Sequence, residues 1–381
     1  MPSKPDQDSS DAANQEEPHP EKSRSGARVF LAFIAGALAV AMVWAGVDFL
    51  NTDDEGPGSA ETTVAPGTST DTPISTQAPN TTVAATSSTT TTTEPITFDV
   101  TVPNAERARY TMDPYTGLGA WLDVFDWTVE NADDRVGPGI VDQLAEAGVQ
   151  TLYIQAGKWD SSAPLLEPNL LKIFLERAEA NDMSVVGWYV PGYEDPQADL
   201  ERLLAITSLP LDGVAVDIEA TSHDDVTERN RNAVALAKEM RRLLPDDVIG
   251  AIVLEPVLLE DVNPNFWPSY PWEQLAANYD VWLPMNYWTN RSSDSPWTDP
   301  HLYTVTNVER VRELIGKPEA PVHVLGGIAD ETTVNQLRRF RKASEDVGAI
   351  GGSIYDVKTT DDELWPALEH FQTTRVPPQD G

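Results

Sequence analysis

Cysteine is absent from this chain of 381 residues. Its absence excludes disulfide bonds, catalytic thiols and thiolate metal centres, although it leaves the redox compartment open. Basic residues are also scarce, because 26 lysines and arginines face 61 aspartates and glutamates. The formal net charge of -35 would repel phosphate backbones, so we expect no nucleic acid partner.

Several chemical signatures are missing as well. No two histidines stand at the spacing of a helical metal-ligand pair; the five are His19, His223, His301, His323 and His370. No serine lies in the Gly-x-Ser-x-Gly turn of a hydrolase nucleophile, and no strand is followed by a glycine-rich nucleotide loop. We therefore expect no metal and no cofactor.

Long apolar runs are rare, and one of them is informative. Residues 29–47 carry no charge and are long enough, at ~1.5 Å per residue, to cross ~28 Å of hydrocarbon. Lys22, Arg24 and Arg28 precede the run, whereas acidic residues follow it. The run predicts a single transmembrane helix within 28–50. The positive-inside rule predicts that its N-terminus lies in the cytoplasm. A cleaved signal peptide is the alternative, but its charged region would be unusually long.

The segments on either side of this run lack the pattern of a packed domain. Residues 1–27 are polar and charged, which predicts a disordered cytoplasmic tail. Residues 51–104 are rich in Thr, Ser, Pro and Ala, including the threonine run 89–93, and show no apolar periodicity. This composition predicts an extended or flexible stalk that carries the remaining domain, residues 105–377, outside the cytoplasm.

From Gly117 onward, short apolar strands alternate with helical stretches. Eight such units in about 255 residues match the size and the count of a (β/α)8 TIM barrel. A doubly wound open sheet is the alternative, but the residues after its first strand, 127–131, do not form a nucleotide loop. The predicted strands are Ala120–Trp127, Thr151–Ala156, Ser184–Val190, Gly213–Glu219, Ile249–Glu255, Val281–Trp288, Val322–Gly327 and Gly352–Asp356.

The fourth predicted strand ends in two acids. Side chains alternate across a strand, so Asp217 and Glu219 share one face with Gly213 and Ala215, whereas the apolar residues between them share the other. The apolar face can pack on helices, so the acids point into the barrel. They lie at the carboxyl end of the strand, and the active sites of barrel enzymes lie at that end of the barrel. Two adjacent acids suit catalysis on a glycosidic bond, because one must hold a proton while the other stays charged.

Polar and aromatic residues collect at the other strand ends, which predicts one binding site at the top of the barrel. The candidate substrate-binding residues are Asp123, Gln155, Tyr189, Glu255, Asn286, Trp288, Tyr355 and Asp356. Aromatic side chains can cover the apolar faces of sugar rings, so we also expect at least two of five aromatic residues to line a groove. These five are Trp159, Tyr189, Trp288, Trp297 and Tyr355.

Two segments resemble motifs of a known family. Residues 212–219, Asp-Gly-Val-Ala-Val-Asp-Ile-Glu, are similar to the fourth-strand Asp-Gly-x-Asp-x-Asp-x-Glu signature of family 18 glycoside hydrolases, the chitinase-like barrels. Met285-Asn286-Tyr287 resembles the start of their sixth-strand motif. The resemblance implies that Glu219 donates the proton, that Asp217 orients an N-acetyl group and that Tyr287 binds the cyclised intermediate.

This chain also departs from that family. Ala215 replaces the first aspartate of the fourth-strand motif, Trp288 stands where Asp or Asn is expected, and Tyr355 rather than Trp ends the eighth strand. An Asp-x-Glu strand end also occurs in family 25 muramidase-like barrels, where Glu219 would remain the acid and Asp217 or Asp123 would stabilise the cationic sugar. Two functions stay open: a membrane-anchored, extracytoplasmic hydrolase of cell-surface or cell-wall polysaccharide, and a barrel that binds polysaccharide without cleaving it.

Overall fold

The structure, a computed structural model, describes residues 96–99, 107–129 and 134–374. The predicted cytoplasmic tail, the predicted transmembrane segment and most of the predicted stalk lie outside these ranges. Within them, no helix is both long enough and apolar enough to span a bilayer.

Eight parallel strands form the predicted barrel. They are β1 (Gly117–Leu122), β2 (Thr151–Gln155), β3 (Ser184–Tyr189), β4 (Gly213–Ile218), β5 (Ile249–Val253), β6 (Val281–Pro284), β7 (His323–Ile328) and β8 (Gly351–Tyr355). Each strand pairs with the next in sequence, and β1 pairs with β8. Bridges from Trp282 to Val322 and from Met285 to Leu325 join β6 to β7. The barrel is therefore closed, and the prediction of a TIM barrel is confirmed.

Helices connect the strands. They are α1 (Val124–Trp127), α2 (Ile140–Glu146), α3 (Pro168–Ala180), α4 (Pro196–Thr207), α5 (Val226–Leu243), α6 (Trp272–Ala276), α7 (Pro300–Leu314), α8 (Val334–Asp346) and α9 (Trp365–Leu368). Short 3-10 turns lie at Asp113–Tyr115, Trp288–Asn290, Pro296–Thr298, Ala329–Glu331 and Glu369–Thr374, and a π turn lies at Leu258–Val262. Side-chain caps fix several helix starts, as where Asp225 accepts from the backbone amides of Thr227 and Glu228 at the start of α5.

Two predicted strands end several residues earlier than expected, whereas most of the others end within one or two residues of the predicted position. The first stops at Leu122, because the Asp123 carboxylate accepts hydrogen bonds from the amides of Phe125 and Asp126 and so begins α1. The sixth stops at Pro284 with a single bridge at Met285. Beyond that bridge the amides of Tyr287 and Trp288 bond to nearby carbonyls, those of Met285 and Asn286, rather than to a neighbouring strand. In both places local hydrogen bonding outcompetes the sheet.

Side chains fill the barrel below its mouth. The Tyr115 ring closes the bottom, where its hydroxyl donates to the Val214 carbonyl at 2.6 Å and lies against Gly213. Higher up, Trp121 stacks on Tyr153 with ring centroids 4.3 Å apart. Gly213 and Ala215 face this interior, as the alternation along β4 predicted. The same alternation carries the next inward position of β4, Asp217, towards the mouth.

Candidate active site

Asp217 and Glu219 stand at the top of β4. Asp217 is only 4% exposed, whereas Glu219 follows the last residue of the strand and is partly exposed. The Tyr270 hydroxyl donates to the Ile218 carbonyl at 2.9 Å and fixes the chain between the two acids. One oxygen of Asp217, Oδ1, is buried and has no hydrogen-bond partner among the described residues. The strand thus delivers one enclosed and one accessible carboxyl group.

Both carboxyl groups hold their protons more tightly than usual. Burial raises the pKa of Glu219 to about 7, and the charges of Glu255 and Asp123 add to the effect. Burial also raises the pKa of Asp217 well above its ordinary value, with Glu219 as the second cause. The spacing of the two acids on β4 by itself predicts that an ionised Asp217 raises the pKa of Glu219. The shift has the expected direction, but the charges behind it come from β5 and β1.

A second group of acids lies where β1 and β8 end. Asp123 accepts hydrogen bonds from the Tyr355 hydroxyl at 2.6 Å and from the Phe125 amide at 2.7 Å. Carboxylate oxygens of Asp123, Asp126 and Asp356 lie within 4.8 Å of one another, and all three residues are buried. Of the acidic and histidine side chains that the structure describes, these three are close enough to share one metal ion.

Charge in this second group is already partly balanced. The Lys358 ammonium acts on Asp123 and Asp126 and lowers the pKa of both, although burial outweighs it in each case. Burial raises the pKa of Asp126 to about 10, and the charges of Asp123 and Asp356 add to this. Burial and Asp123 raise the pKa of Asp356 to about 6. Near neutral pH, therefore, Asp126 carries its proton.

Tyr287 lies between the two groups of acids. Its ring centroid is 5.9 Å from that of Tyr355, and both side chains are partly exposed. Burial raises the Tyr287 pKa well above its ordinary value, and Glu219, Asp217, Glu255 and Asp356 raise it further through their charges. The structure therefore brings together five of the residues that the sequence singled out at strand ends: Asp123, Asp217, Glu219, Tyr287 and Tyr355.

Glu255 is buried, although it was expected to contact substrate. It is 2% exposed and accepts a hydrogen bond from the Tyr303 hydroxyl at 2.9 Å. The buried Arg291 guanidinium lies 3.6 Å from the same oxygen. Glu255 therefore faces a buried ion pair behind the mouth instead of the cleft. Sequence spacing gave no sign of Arg291 or Tyr303, which come from the β6–α7 loop and from α7.

Tyr189 and Trp288 were also expected to contact substrate, and both are buried. Tyr189 is 0% exposed, and its hydroxyl donates to Asp199 of α4 at 2.6 Å. Trp288 is 1% exposed and packs on Phe340 of α8, with ring centroids 5.2 Å apart. Both rings fill the layer between strands and helices, so neither faces the cleft in this structure.

Gln155, Asn286 and Asp356 also serve local structure. The Gln155 side chain accepts from the Val124 amide at 3.1 Å and so ties β2 to α1. Asn286 is fully buried and donates to the Pro284 carbonyl at 3.0 Å. Asp356 accepts from the Thr359 amide at 3.0 Å. Each was expected to contact substrate; in this structure each makes these hydrogen bonds within the protein.

The remaining aromatic candidates keep some access to solvent. Trp159 is 37% exposed and lies against Gly192, while Trp297 and Tyr355 are partly exposed. One aromatic residue that the sequence did not single out also faces inward: Trp188 of β3, whose ring meets the edge of Trp121 at 5.7 Å. Its Nε1 is buried without a hydrogen-bond partner among the described residues.

Comparison with known proteins gives results at the level of structure only. No protein-family model matches the sequence. No curated protein matches it either. Among solved structures, a chitinase from Chromobacterium violaceum ATCC 12472 is similar over 67% of this chain and 98% of its own, with 11% identity and a TM-score of 0.43.

Two further solved structures are similar over about the same part of the chain. The Ostrinia furnacalis Group IV chitinase matches 68% of this chain and 100% of its own, with 14% identity and a TM-score of 0.49. The spore cortex-lytic enzyme SleL from Bacillus megaterium QM B1551 matches 67% and 73%, with 9% identity and a TM-score of 0.48.

The buried acids predict that stability falls as pH rises. The Asp126 carboxyl has a pKa of about 10 in the folded protein against an ordinary value of 3.8. Between these two pH values the Asp126 carboxyl keeps its proton in the folded state but has lost it in the unfolded state. The stabilisation that this proton gives the folded state is therefore complete at acid pH and is lost as the pH rises to about 10. We expect the melting temperature to fall between about pH 5 and about pH 9, and to fall less steeply in Asp126→Asn. Asp362→Asn, at an exposed aspartate, is the control; equal slopes in wild type and Asp126→Asn would contradict the assignment.

Proposed function

We propose that this protein is a membrane-anchored glycoside hydrolase that acts outside the cytoplasm on a cell-surface or cell-wall polysaccharide, with Glu219 as general acid. One observation carries the proposal: Glu219 follows the last residue of β4, is partly exposed, and has a pKa raised to about 7. An acid with such a pKa still holds its proton near neutral pH and gives it up readily to a leaving group.

The chemistry needs a second, charged carboxylate. When Glu219 donates its proton to the glycosidic oxygen, positive charge develops on the sugar ring and a nearby carboxylate stabilises it. Asp217 and Asp123 are the two candidates for this role, and each must ionise against the burial that raises its pKa. Burial raises the pKa of Asp123, and the hydrogen bonds that Asp123 accepts from the Tyr355 hydroxyl and from the amides of Phe125 and Asp126 only partly offset this. The free Oδ1 of Asp217 suits a donor on the substrate, such as an amide.

Access for a sugar chain is consistent with this assignment. Tyr287 and Tyr355 lie side by side at the mouth with part of each side chain exposed, and Trp159 is exposed beside Gly192. Aromatic rings of this kind can pack on the apolar faces of sugars, while the Tyr hydroxyls bind their polar edges. We assign polysaccharide binding to this mouth.

A non-hydrolytic polysaccharide-binding barrel is the second candidate. The observation that favours it is Ala215, which is fully buried on β4 where the family motif has an acid. Without that acid, the strand β4 has no second carboxyl group below Asp217 that could pair with it. Binding needs only the aromatic rings and scattered hydrogen-bond donors, so it would survive this loss.

Replacing Glu219 tests the proposal. We expect wild type to release new reducing ends from at least one glycan in a panel of chitin, peptidoglycan and other cell-surface polysaccharides. Glu219→Gln should lower that rate at least ~100-fold, because the amide cannot donate the proton. Glu313→Gln, at an exposed position of α7, is the matched control and should keep full activity. Equal cleavage by wild type and Glu219→Gln would refute the mechanism, and tight binding without cleavage by wild type would favour the second candidate.

The membrane anchor is the other part of the proposal. We assign residues 29–47 to a bilayer-spanning helix, with the N-terminus cytoplasmic and the barrel outside, on the strength of the uncharged run and its basic N-terminal flank. Protease added to intact cells is then expected to cut within 51–104 and to release a soluble barrel. A barrel that stays protected until the membrane is broken would show that the orientation is wrong.

A further inference from the structure

Asp126 and Asp356 are buried acids that the proposed reaction leaves without a role. Asp126 lies in α1, just beyond the end of β1, and Asp356 follows the last residue of β8. Because β1 and β8 pair in parallel, their carboxyl ends meet at the mouth of the barrel. Asp123, which caps α1, joins the two, and one carboxylate oxygen from each of the three residues lies within 4.8 Å of the others. The fold thus gathers three enclosed carboxyl groups in one place.

The hydrogen bonds of the protein leave part of this cluster unsatisfied. The Asp126 Oδ2 accepts from the Asp123 amide at 3.2 Å. The other oxygen of Asp126, Oδ1, is buried and has no hydrogen-bond partner among the described residues. The residue is 0% exposed, so bulk water does not satisfy this oxygen. Buried oxygens without a partner are uncommon in folded proteins, and one that lies among other carboxyl groups points to a bound cation.

The protein supplies too little positive charge to balance three carboxylates. Among the described residues, Lys358 is the positive side chain that acts on Asp123 and Asp126. Its ammonium is shared with Asp134, which lies 3.6 Å away. When all three acids of the cluster are ionised, at least two negative charges therefore stay unbalanced. A divalent cation carries the charge that would balance them.

We propose that Asp123, Asp126 and Asp356 bind one hard divalent cation, for which Ca²⁺ is the best fit. The three donors are all carboxylate oxygens, which suit Ca²⁺, Mg²⁺ and Mn²⁺. Oxygens bind Ca²⁺ at about 2.3–2.6 Å, so two of them on opposite sides of the ion lie about 4.6–5.2 Å apart. Oxygens up to 4.8 Å apart can therefore contact the same Ca²⁺. Water takes the remaining positions, since Ca²⁺ accepts about six to eight oxygens.

A site built from these aspartates could not be recognised in the sequence, where the expectation of no metal rested on histidine spacing and on the absence of cysteine. The three residues come from the two ends of the barrel domain and meet only when β8 pairs with β1. Asp126 must give up its proton when the cation binds, because carboxyl ligands coordinate in their ionised form. The site does not depend on hydrolysis by the barrel, although a cation on Asp123 would leave Asp217 as the carboxylate that stabilises the sugar.

Calcium titration of the full-length protein tests the inference without any glycan. The protein is first freed of metal with EDTA, which is then removed. We expect calorimetry to show one tight Ca²⁺ site per chain. We also expect the melting temperature to rise by about 5 °C when Ca²⁺ exceeds Kd ~100-fold, because an ion that binds only the folded state stabilises it. No binding of Ca²⁺, Mg²⁺ or Mn²⁺ and no rise in melting temperature would overturn the proposal.

Asp126→Asn and Asp356→Asn test where the ion binds. Each variant keeps the size of the side chain but removes one anionic ligand, so the Ca²⁺ affinity should fall at least ~10-fold. Asp362→Asn, at an exposed aspartate of the same β8–α9 loop, is the matched control and should bind as wild type does. A cooperative melt in EDTA shows that a variant has lost the ion and not the fold. Equal Ca²⁺ affinity in wild type and in both cluster variants would place the ion elsewhere on this acidic protein and overturn the proposal.

Discussion

Carboxyl groups crowded into a small, partly dry space repel one another unless some of them keep their protons, and this repulsion governs the mouth of the barrel. Five acids lie at or just beyond strand ends there, namely Asp123, Asp217, Glu219, Glu255 and Asp356, and Arg291 and Lys358 bring positive charge close to some of the acids at the mouth. Each positive charge is matched to particular acids, Arg291 to Glu255 and Lys358 to Asp123 and Asp126. Burial and the charges of Glu255 and Asp123 raise the pKa of Glu219 to about 7, and no positive charge among the described residues is matched to it in this way.

The filled interior of the barrel places these groups where they can act. Tyr115 closes the bottom, and Trp121, Tyr153 and His323 occupy the middle, with the His323 ring bonded to Ser353 and to the Tyr115 carbonyl. Burial lowers the pKa of His323 to about 4, so this residue is neutral and adds no charge below the acids. A neutral, packed floor leaves the mouth as the place where polar chemistry can occur.

The sequence was a good guide to the strands and a weaker guide to their ends. Period-two alternation and regular spacing identified all eight strands, because both follow directly from barrel geometry. The inward direction of Asp217 followed from the same alternation. The ends of β1 and β6 could not be predicted in this way, because the Asp123 cap and the local turn at Tyr287 depend on hydrogen bonds that compete with the sheet.

The positions of the candidate residues could be predicted where they depend on a strand, but not where they depend on contacts between distant segments. Glu219, Asp217 and Tyr287 come from strand ends and lie where expected. Glu255 looked equally exposed in sequence, yet Arg291 and Tyr303, which stand 36 and 48 residues further along, enclose it. Tyr189 and Trp288 were misplaced for the same reason, since helices α4 and α8 cover them.

A crystal structure of Glu219→Gln with a bound oligosaccharide would test the central claim most directly. If Glu219 is the general acid, the side chain at position 219 should lie within about 3 Å of a glycosidic oxygen, with Tyr287 and Asp217 around the same sugar. An oligosaccharide bound at the mouth with every glycosidic oxygen beyond the reach of position 219 would contradict the account.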